Sequence, residues 1–125
     1  RALVITCGAD PLHGDPLSKL SLSNVGLWAA VEKLLKLTRR TVVLGGGGYN
    51  PWTVVRCWSG LWARLSGQEI PDRLPAEVRR FLATLECDLI DEDEVPDSWI
   101  ETLVDKPNTG DVRPEVERLP NLVLH

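Results

Sequence analysis

Two short apolar runs constrain this chain more than any other feature. Ala2-Leu3-Val4-Ile5-Thr6-Cys7 and Thr41-Val42-Val43-Leu44 are rich in β-branched residues and too short to be helices of ordinary length. Each reads as a strand buried on both faces, the pattern of a parallel sheet. Between them, Leu27, Ala30, Val31, Leu34 and Leu35 recur at helical spacing, with Ser23 or Asn24 placed to cap that helix. Strand, helix and strand in this order predict a βαβ unit with parallel strands and a right-handed crossover.

Each predicted strand runs into a loop. The first loop, residues 8–16, holds Gly8, Gly14, Pro11 and Pro16; the second begins with Gly45, Gly46, Gly47 and Gly48 and leads to Tyr49. Both leave the carboxyl ends of parallel strands on one sheet edge, which is where open α/β sheets hold ligands. Asp10, His13 and Asp15 are therefore candidates from the first loop, and the glycines with Tyr49 from the second. Each also has a plainer reading. Asp10 before a proline is an ordinary turn or cap carboxylate. Tyr49 is either a packed aromatic with a satisfied hydroxyl or a donor aimed at an oxyanion. The glycines permit a tight turn or close backbone approach. A phosphate cradle would need a following lysine or a later glycine in the right register, and the chain has neither. His13 and Asp15 put two donors on one loop, whereas zinc sites gather three or four from converging segments.

Further along, Asn50-Pro51 supplies a cap and a first-turn proline for a helix marked by Val54, Val55, Trp58, Leu61, Trp62 and Leu65, with Gly67 placed to end it. Trp52, Trp58 and Trp62 read equally as core or as partner-facing residues. Leu74-Pro75 opens a short helix with Val78, Phe81, Leu82 and Leu85 on one side. The stretch from Asp88 to Glu94 carries five carboxylates in seven residues and reads as a solvated surface loop. Asp97 or Ser98 would cap a turn or two around Trp99 and Leu103. A loop is expected from Pro107 to Pro114, and the sequence assigns no structure to the tail after it. The chain divides into a βαβ-α segment over 1–66 and short helices with a tail over 67–125.

Composition excludes some functions. With 125 residues and a net charge of −4, the chain has no basic surplus to neutralise nucleic-acid phosphates. No apolar run approaches the roughly 20 residues of a membrane span. Cys7, Cys57 and Cys87 are odd in number and form no CxxC pair, so Cys7 and Cys57 read as small core residues, and a reducing, cytoplasmic location fits.

Four stretches together, Cys7-Gly8-Ala9-Asp10, Gly14-Asp15-Pro16-Leu17, Leu44-Gly45-Gly46-Gly47-Gly48-Tyr49-Asn50 and Val54-Val55-Arg56-Cys57-Trp58, resemble the histone deacetylase superfamily in order and spacing. Tyr49-Asn50-Pro51-Trp52, Ile70-Pro71-Asp72 and Asp97-Ser98-Trp99 are more similar to its bacterial acetoin-utilisation branch. The resemblance implies an α/β fold, here part of an arginase/deacetylase-like sandwich with a mostly parallel sheet, and a zinc ion at the strands' carboxyl ends. It implies that Asp10 is the third zinc ligand and that Tyr49 hydrogen-bonds the acetyl carbonyl and its oxyanion. Gly46, Gly47 and Gly48 would line the site, and Pro16 and Leu17 would wall the tunnel for the acyl-lysine stem. His13 and Asp15 match no family ligand, and Trp58 matches a packing position. The implied substrate is acetyl-lysine or a small acetylated amine, and the implied metal is Zn2+, with Fe2+ compatible with an Asp/His/Asp donor set.

The family's other two ligands form an Asp-x-His motif and its bases a His-His pair. This sequence has neither, its histidines being His13 and His125. The expectation is the C-terminal part of a single deacetylase domain, starting abruptly at Arg1. It would be either a piece lacking its N-terminal segment, a natural short product that folds alone or as a homo-oligomer and does something other than catalysis, or a half-site completed by another chain.

Overall fold

The computed structural model describes residues 2–108 and 110–123, with side chains described up to residue 118; Arg1 and His125 lie outside that range. Strand β1 (Leu3–Cys7) pairs in parallel with β2 (Thr41–Gly45), in a register running from Leu3 opposite Thr41 to Cys7 opposite Gly45. Helix α1 (Asn24–Leu35) connects them. After β2 come α2 (Pro51–Ser66), α3 (Ala76–Leu82), a 3-10 turn at Glu92–Glu94, α4 (Asp97–Glu101) and α5 (Pro114–Val123). Among the described residues, no helix is long and apolar enough to cross a membrane.

The βαβ unit is present, but its strands are not buried on both faces. Side chains alternate across a strand, so the register puts Val4 and Thr6 on one face with Val42 and Leu44. Those positions are open: Val4 is 62% exposed and Val42 54%. The opposite face carries Ile5 and Cys7, which pack with Trp28, Val31 and Leu61 and with the half-buried Leu3, Val43 and Trp58. Both α1 and α2 thus cover the same side of the sheet.

Trp28 is the centre of that layer. It is fully buried, and its indole N–H donates to the Cys57 carbonyl at 2.9 Å. Gly60 on α2 makes room for it: a Cβ added there would lie 2.1 Å from the Trp28 ring. The ring is locked and cannot retreat, so overpacking outweighs the helix propensity that alanine would add. Gly60→Ala is expected to destabilise the folded state by about 1–3 kcal/mol, read as a lower urea midpoint. An unchanged or raised midpoint would contradict the packing described.

Helix α2 starts and stops where its residues dictate. The Asn50 side chain accepts from Trp52 N and Thr53 N, Pro51 occupies the first turn, and Gly67 ends the helix in the left-handed conformation at φ 69°. Its buried face matches only part of the predicted apolar stripe: Leu61 is buried and Val54 and Trp58 pack against the core. Thr53, Arg56, Cys57, Gly60 and Leu61 point inward, whereas Val55 and Leu65 are exposed and Trp62 is 71% exposed. Arg56 can be buried because its Nε donates to the Thr102 carbonyl at 2.7 Å and its Nη2 lies 2.8 Å from Asp105 Oδ1. That second contact is an ion pair off the N–H direction, since Nη2 has no well-aligned hydrogen-bond acceptor. Asp105 also accepts from Asn24 N, and the Asn24 side chain donates to the Leu103 carbonyl, so α1, α2 and the segment after α4 meet at one polar knot. For α1 the inward residues are Asn24, Trp28 and Val31, while Leu34 faces solvent.

A second apolar cluster joins Trp52, Leu74, Leu82, Trp99 and Leu103. The Trp52 indole donates to the Leu82 carbonyl at 2.8 Å. Trp52 and Trp58 are therefore packing residues and Trp62 is not. In α3 only Leu82 is buried; Val78 and Phe81 are exposed, and Leu85 falls beyond the helix end. Pro96, not Asp97 or Ser98, occupies the cap position of α4, with no side-chain cap bond. The tail, to which the sequence assigns no structure, forms α5. Ser23 is the cap of α1, accepting from Gly26 N.

Cys7, Cys57 and Cys87 are all free. Burial pushes the Cys7 thiol up, and pushes Cys57 up to about 12. A thiol whose folded pKa is raised keeps its proton above the point at which the unfolded chain ionises. Its stabilising effect is therefore whole below the unfolded value near 9.0 and is lost as pH rises toward about 12. Two results are expected. A thiol-alkylating reagent at neutral pH should label the partly exposed Cys87 first and leave Cys57 unlabelled until unfolding. Cys57→Ala should make alkaline destabilisation shallower. Native labelling of Cys57 at the rate of Cys87 would contradict its burial.

Candidate functional site

The carboxyl ends of β1 and β2 deliver two loops that touch along their backbones. Ala9 N donates to the Gly47 carbonyl at 2.6 Å, which fixes the first loop against the glycine run. The approach is too close for side chains. A Cβ on Gly47 would lie 2.8 Å from Asp10 Oδ1, and one on Gly46 would lie 2.9 Å from the Gly8 Cα. Gly48 adopts φ 142°, a region L side chains rarely enter, and packs against Val54 and Ala9. The glycine run thus serves close approach of one strand-end loop to the other.

The Asp10 carboxylate lies in this contact, beside the backbones of Gly8 and Gly47. It is half-buried, and among the described residues neither a hydrogen bond nor an ion pair engages it. Tyr49 follows at the end of the glycine run with its side chain 49% exposed. Within this chain it is not a buried aromatic. Pro16 and Leu17 are exposed on the first loop, beyond Asp15.

The two remaining candidates of the first loop separate. His13 is exposed, with Nδ1 3.5 Å from the Ser21 hydroxyl, and lines a recess with Trp99, Thr102 and Asp105. Asp15 is buried, at 5% exposed, and its carboxylate accepts from Leu17 N at 2.9 Å and from Tyr49 N at 2.8 Å. Asn50 Nδ2 adds a bond to the Gly14 carbonyl at 2.8 Å. Asp15 and Asn50 therefore tie the first loop to the segment bearing Tyr49. Asn50 was legible as a cap, but its bond to Gly14 and the bond of Asp15 to Tyr49 were not, because their partners lie 36 and 34 residues away; the bond of Asp15 to Leu17 N is local, two residues on. The only local signal was the Gly-Asp-Pro turn itself.

Among the described residues, no three His, Cys, Asp or Glu side chains gather closely enough to hold a metal ion. The chain brings Asp10 and Tyr49 onto one edge and leaves His13 and Asp15 out of any ligand cluster.

A family model described as the histone deacetylase domain matches residues 1–65. The chain belongs to the histone deacetylase family. Histone deacetylase 8 of Danio rerio is 35% identical over 75 residues, which cover 60% of this chain and 20% of that protein. Type-1 histone deacetylase 1 of Dictyostelium discoideum is 43% identical over 74 residues, 59% of this chain and 15% of that one. A crystal structure of an HDAC homolog from Aquifex aeolicus superposes with a TM-score of 0.85 at 34% identity, covering 98% of this chain and 33% of that chain. The same match holds for an HDAC homolog complexed with SAHA. This deacetylase-family chain thus spans a third or less of the length of these relatives, and its fold is part of the α/β deacetylase architecture.

Proposed function

We propose that this chain contributes two chemical groups to the site of a metal-dependent deacetylase, with Asp10 as a metal-ligating carboxylate and Tyr49 as the donor to the acetyl oxygen. The observation that carries this reading is the Asp10 carboxylate, half-buried against a glycine backbone and engaged by no other protein group among the described residues, on the same sheet edge as a half-exposed tyrosine. A carboxylate so placed fits a cation, and the glycines keep side chains out of the space beside it.

One carboxylate does not hold a divalent ion usefully, since catalytic zinc takes three protein ligands. We infer that the other ligands and the general base come from residues outside these 125, in the part of the fold that the Aquifex aeolicus relative has and this chain does not span. Bound there, Zn2+, or Fe2+ with the same donors, would polarise the amide carbonyl and acidify a water. The roles of this chain's residues follow from their placement. Asp10 would fix the ion at the strand ends. The Tyr49 hydroxyl would donate to the acetyl oxygen as negative charge develops on it, a preorganised interaction that needs no rearrangement during the reaction. Gly46, Gly47 and Gly48 would present backbone to the reacting group. The apolar surfaces of Pro16 and Leu17 would lie along the aliphatic stem of an acetyl-lysine or another acetylated amine. Three free cysteines suit a reducing compartment such as the cytoplasm.

A second reading rests on the open sheet face. The chain leaves Val4, Val42 and Leu44 uncovered; on this reading it is catalytically inert and covers this face with a second copy of itself. Metal content separates the two. In a full-length protein containing this segment, Asp10→Ala is expected to abolish stoichiometric zinc, while the 125-residue chain alone carries none. Full zinc occupancy in the Asp10→Ala protein would remove Asp10 from the ligand set.

A further inference from the structure

We propose that Asp15 is a positioning residue for Tyr49, an inference that rests on the reading of Tyr49 as the acetyl-oxygen donor. Tyr49 follows four consecutive glycines, which carry the highest conformational entropy of any residue and cannot by themselves aim a side chain. What fixes its backbone is a carboxylate on the other loop. Asp15 Oδ2 accepts the Tyr49 N–H at 2.8 Å while Oδ1 accepts the Leu17 N–H at 2.9 Å. An ionised carboxylate is acceptor-only, so its two oxygens match two backbone donors, and such charge-assisted bonds are the stronger kind. The group is buried, and no cation pairs with it among the described residues, so both oxygens serve these straps. One side chain thereby holds in fixed relation the two backbone positions from which the Tyr49 ring and the Leu17 wall project. Misplacing a catalytic donor by about 1 Å can cost 10²-fold in rate.

Asp15→Asn is the informative change. The amide keeps one acceptor and turns an NH2 toward the other backbone N–H, so one strap is lost at nearly constant volume. In the full-length protein acting on an acetyl-lysine peptide, the two backbone N–H groups then compete for one acceptor, and kcat is expected to fall about 10–100-fold with zinc content retained. The deciding comparison is a double-mutant cycle with Tyr49→Phe. If Asp15 acts through the tyrosine hydroxyl, Asp15→Asn lowers kcat in the wild type and adds little in the Tyr49→Phe background. An equal fall in kcat in both backgrounds, or none in either, overturns the inference while leaving Tyr49 in place. Wild-type turnover in Tyr49→Phe overturns the reading of Tyr49, and this inference with it. Should Asp15→Asn fail to fold, residue-resolved amide exchange on the wild type decides: strong protection of the Tyr49 and Leu17 N–H groups is expected, and exchange at open-loop rates overturns the proposal.

Discussion

Tyr49→Phe in a full-length protein containing this segment is expected to lower kcat for an acetyl-lysine peptide by about 10²–10³-fold, the usual cost of removing one oxyanion donor. The substitution deletes a single hydroxyl. The backbone N–H of residue 49 still reaches Asp15, and the Asn50 cap of α2 is untouched. Because the ring is half-exposed, its hydroxyl is not needed to satisfy a buried polar group, so stability should change little. Asp10 stays where the glycine contact holds it, and zinc content should match the wild type. An interaction made mainly in the transition state lowers kcat and kcat/KM together and leaves KM nearly constant. Wild-type kcat would remove Tyr49 from the mechanism, and loss of zinc would mean that the residue supports the metal site instead.

Trp28→Ala is expected to cost the largest amount of stability of any single truncation in this segment, about 3–5 kcal/mol. Trp28 is fully buried between α1, α2 and the covered face of the sheet, and Gly60 is shaped around it. Its removal leaves a void lined by Ile5, Val31 and Leu61 and deletes the bond from its indole to the Cys57 carbonyl. The Arg64 guanidinium, 5.7 Å from the ring centroid and bonded to Glu32 at 2.6 Å and 2.9 Å, would lose its aromatic support. The exposed Arg64–Glu32 pair adds only the modest stability of a surface ion pair. Since whole domains are stable by about 5–15 kcal/mol, this one change should consume much of the margin. Urea unfolding monitored by far-UV circular dichroism measures it. A midpoint close to wild type would mean that the layer closes around the void, contrary to the packing described.

The strands, the loops at their ends and both limits of α2 could be read from the chain because each rests on local chemistry. β-branched runs make strands, Asn50-Pro51 opens a helix, and Gly67 closes one in the left-handed conformation. Other features depend on distant partners. Arg56 looks like a surface residue until Thr102 and Asp105 arrive from more than 40 residues away, and the buried face of α2 was misassigned to Trp62 and Leu65 for that reason. On α1, likewise, helical spacing points to Leu34, whereas the residue at the core is Trp28. The open face of β1 and β2 was invisible because an apolar run does not state how many layers cover it. Of the candidate site, Asp10 and Tyr49 were legible from their places after strands. Asp15 stood out only as a loop carboxylate, because its bond to Tyr49 N joins groups 34 residues apart that only the folded loops bring together.

The most direct test of the proposed site is a crystal structure of the full-length protein with an acetyl-lysine peptide, using anomalous scattering at the zinc edge. The account predicts an anomalous peak about 2.0–2.2 Å from an Asp10 carboxylate oxygen, with the Tyr49 hydroxyl within about 3 Å of the acetyl oxygen. A metal bound away from Asp10, or an acetyl group out of reach of Tyr49, would contradict it.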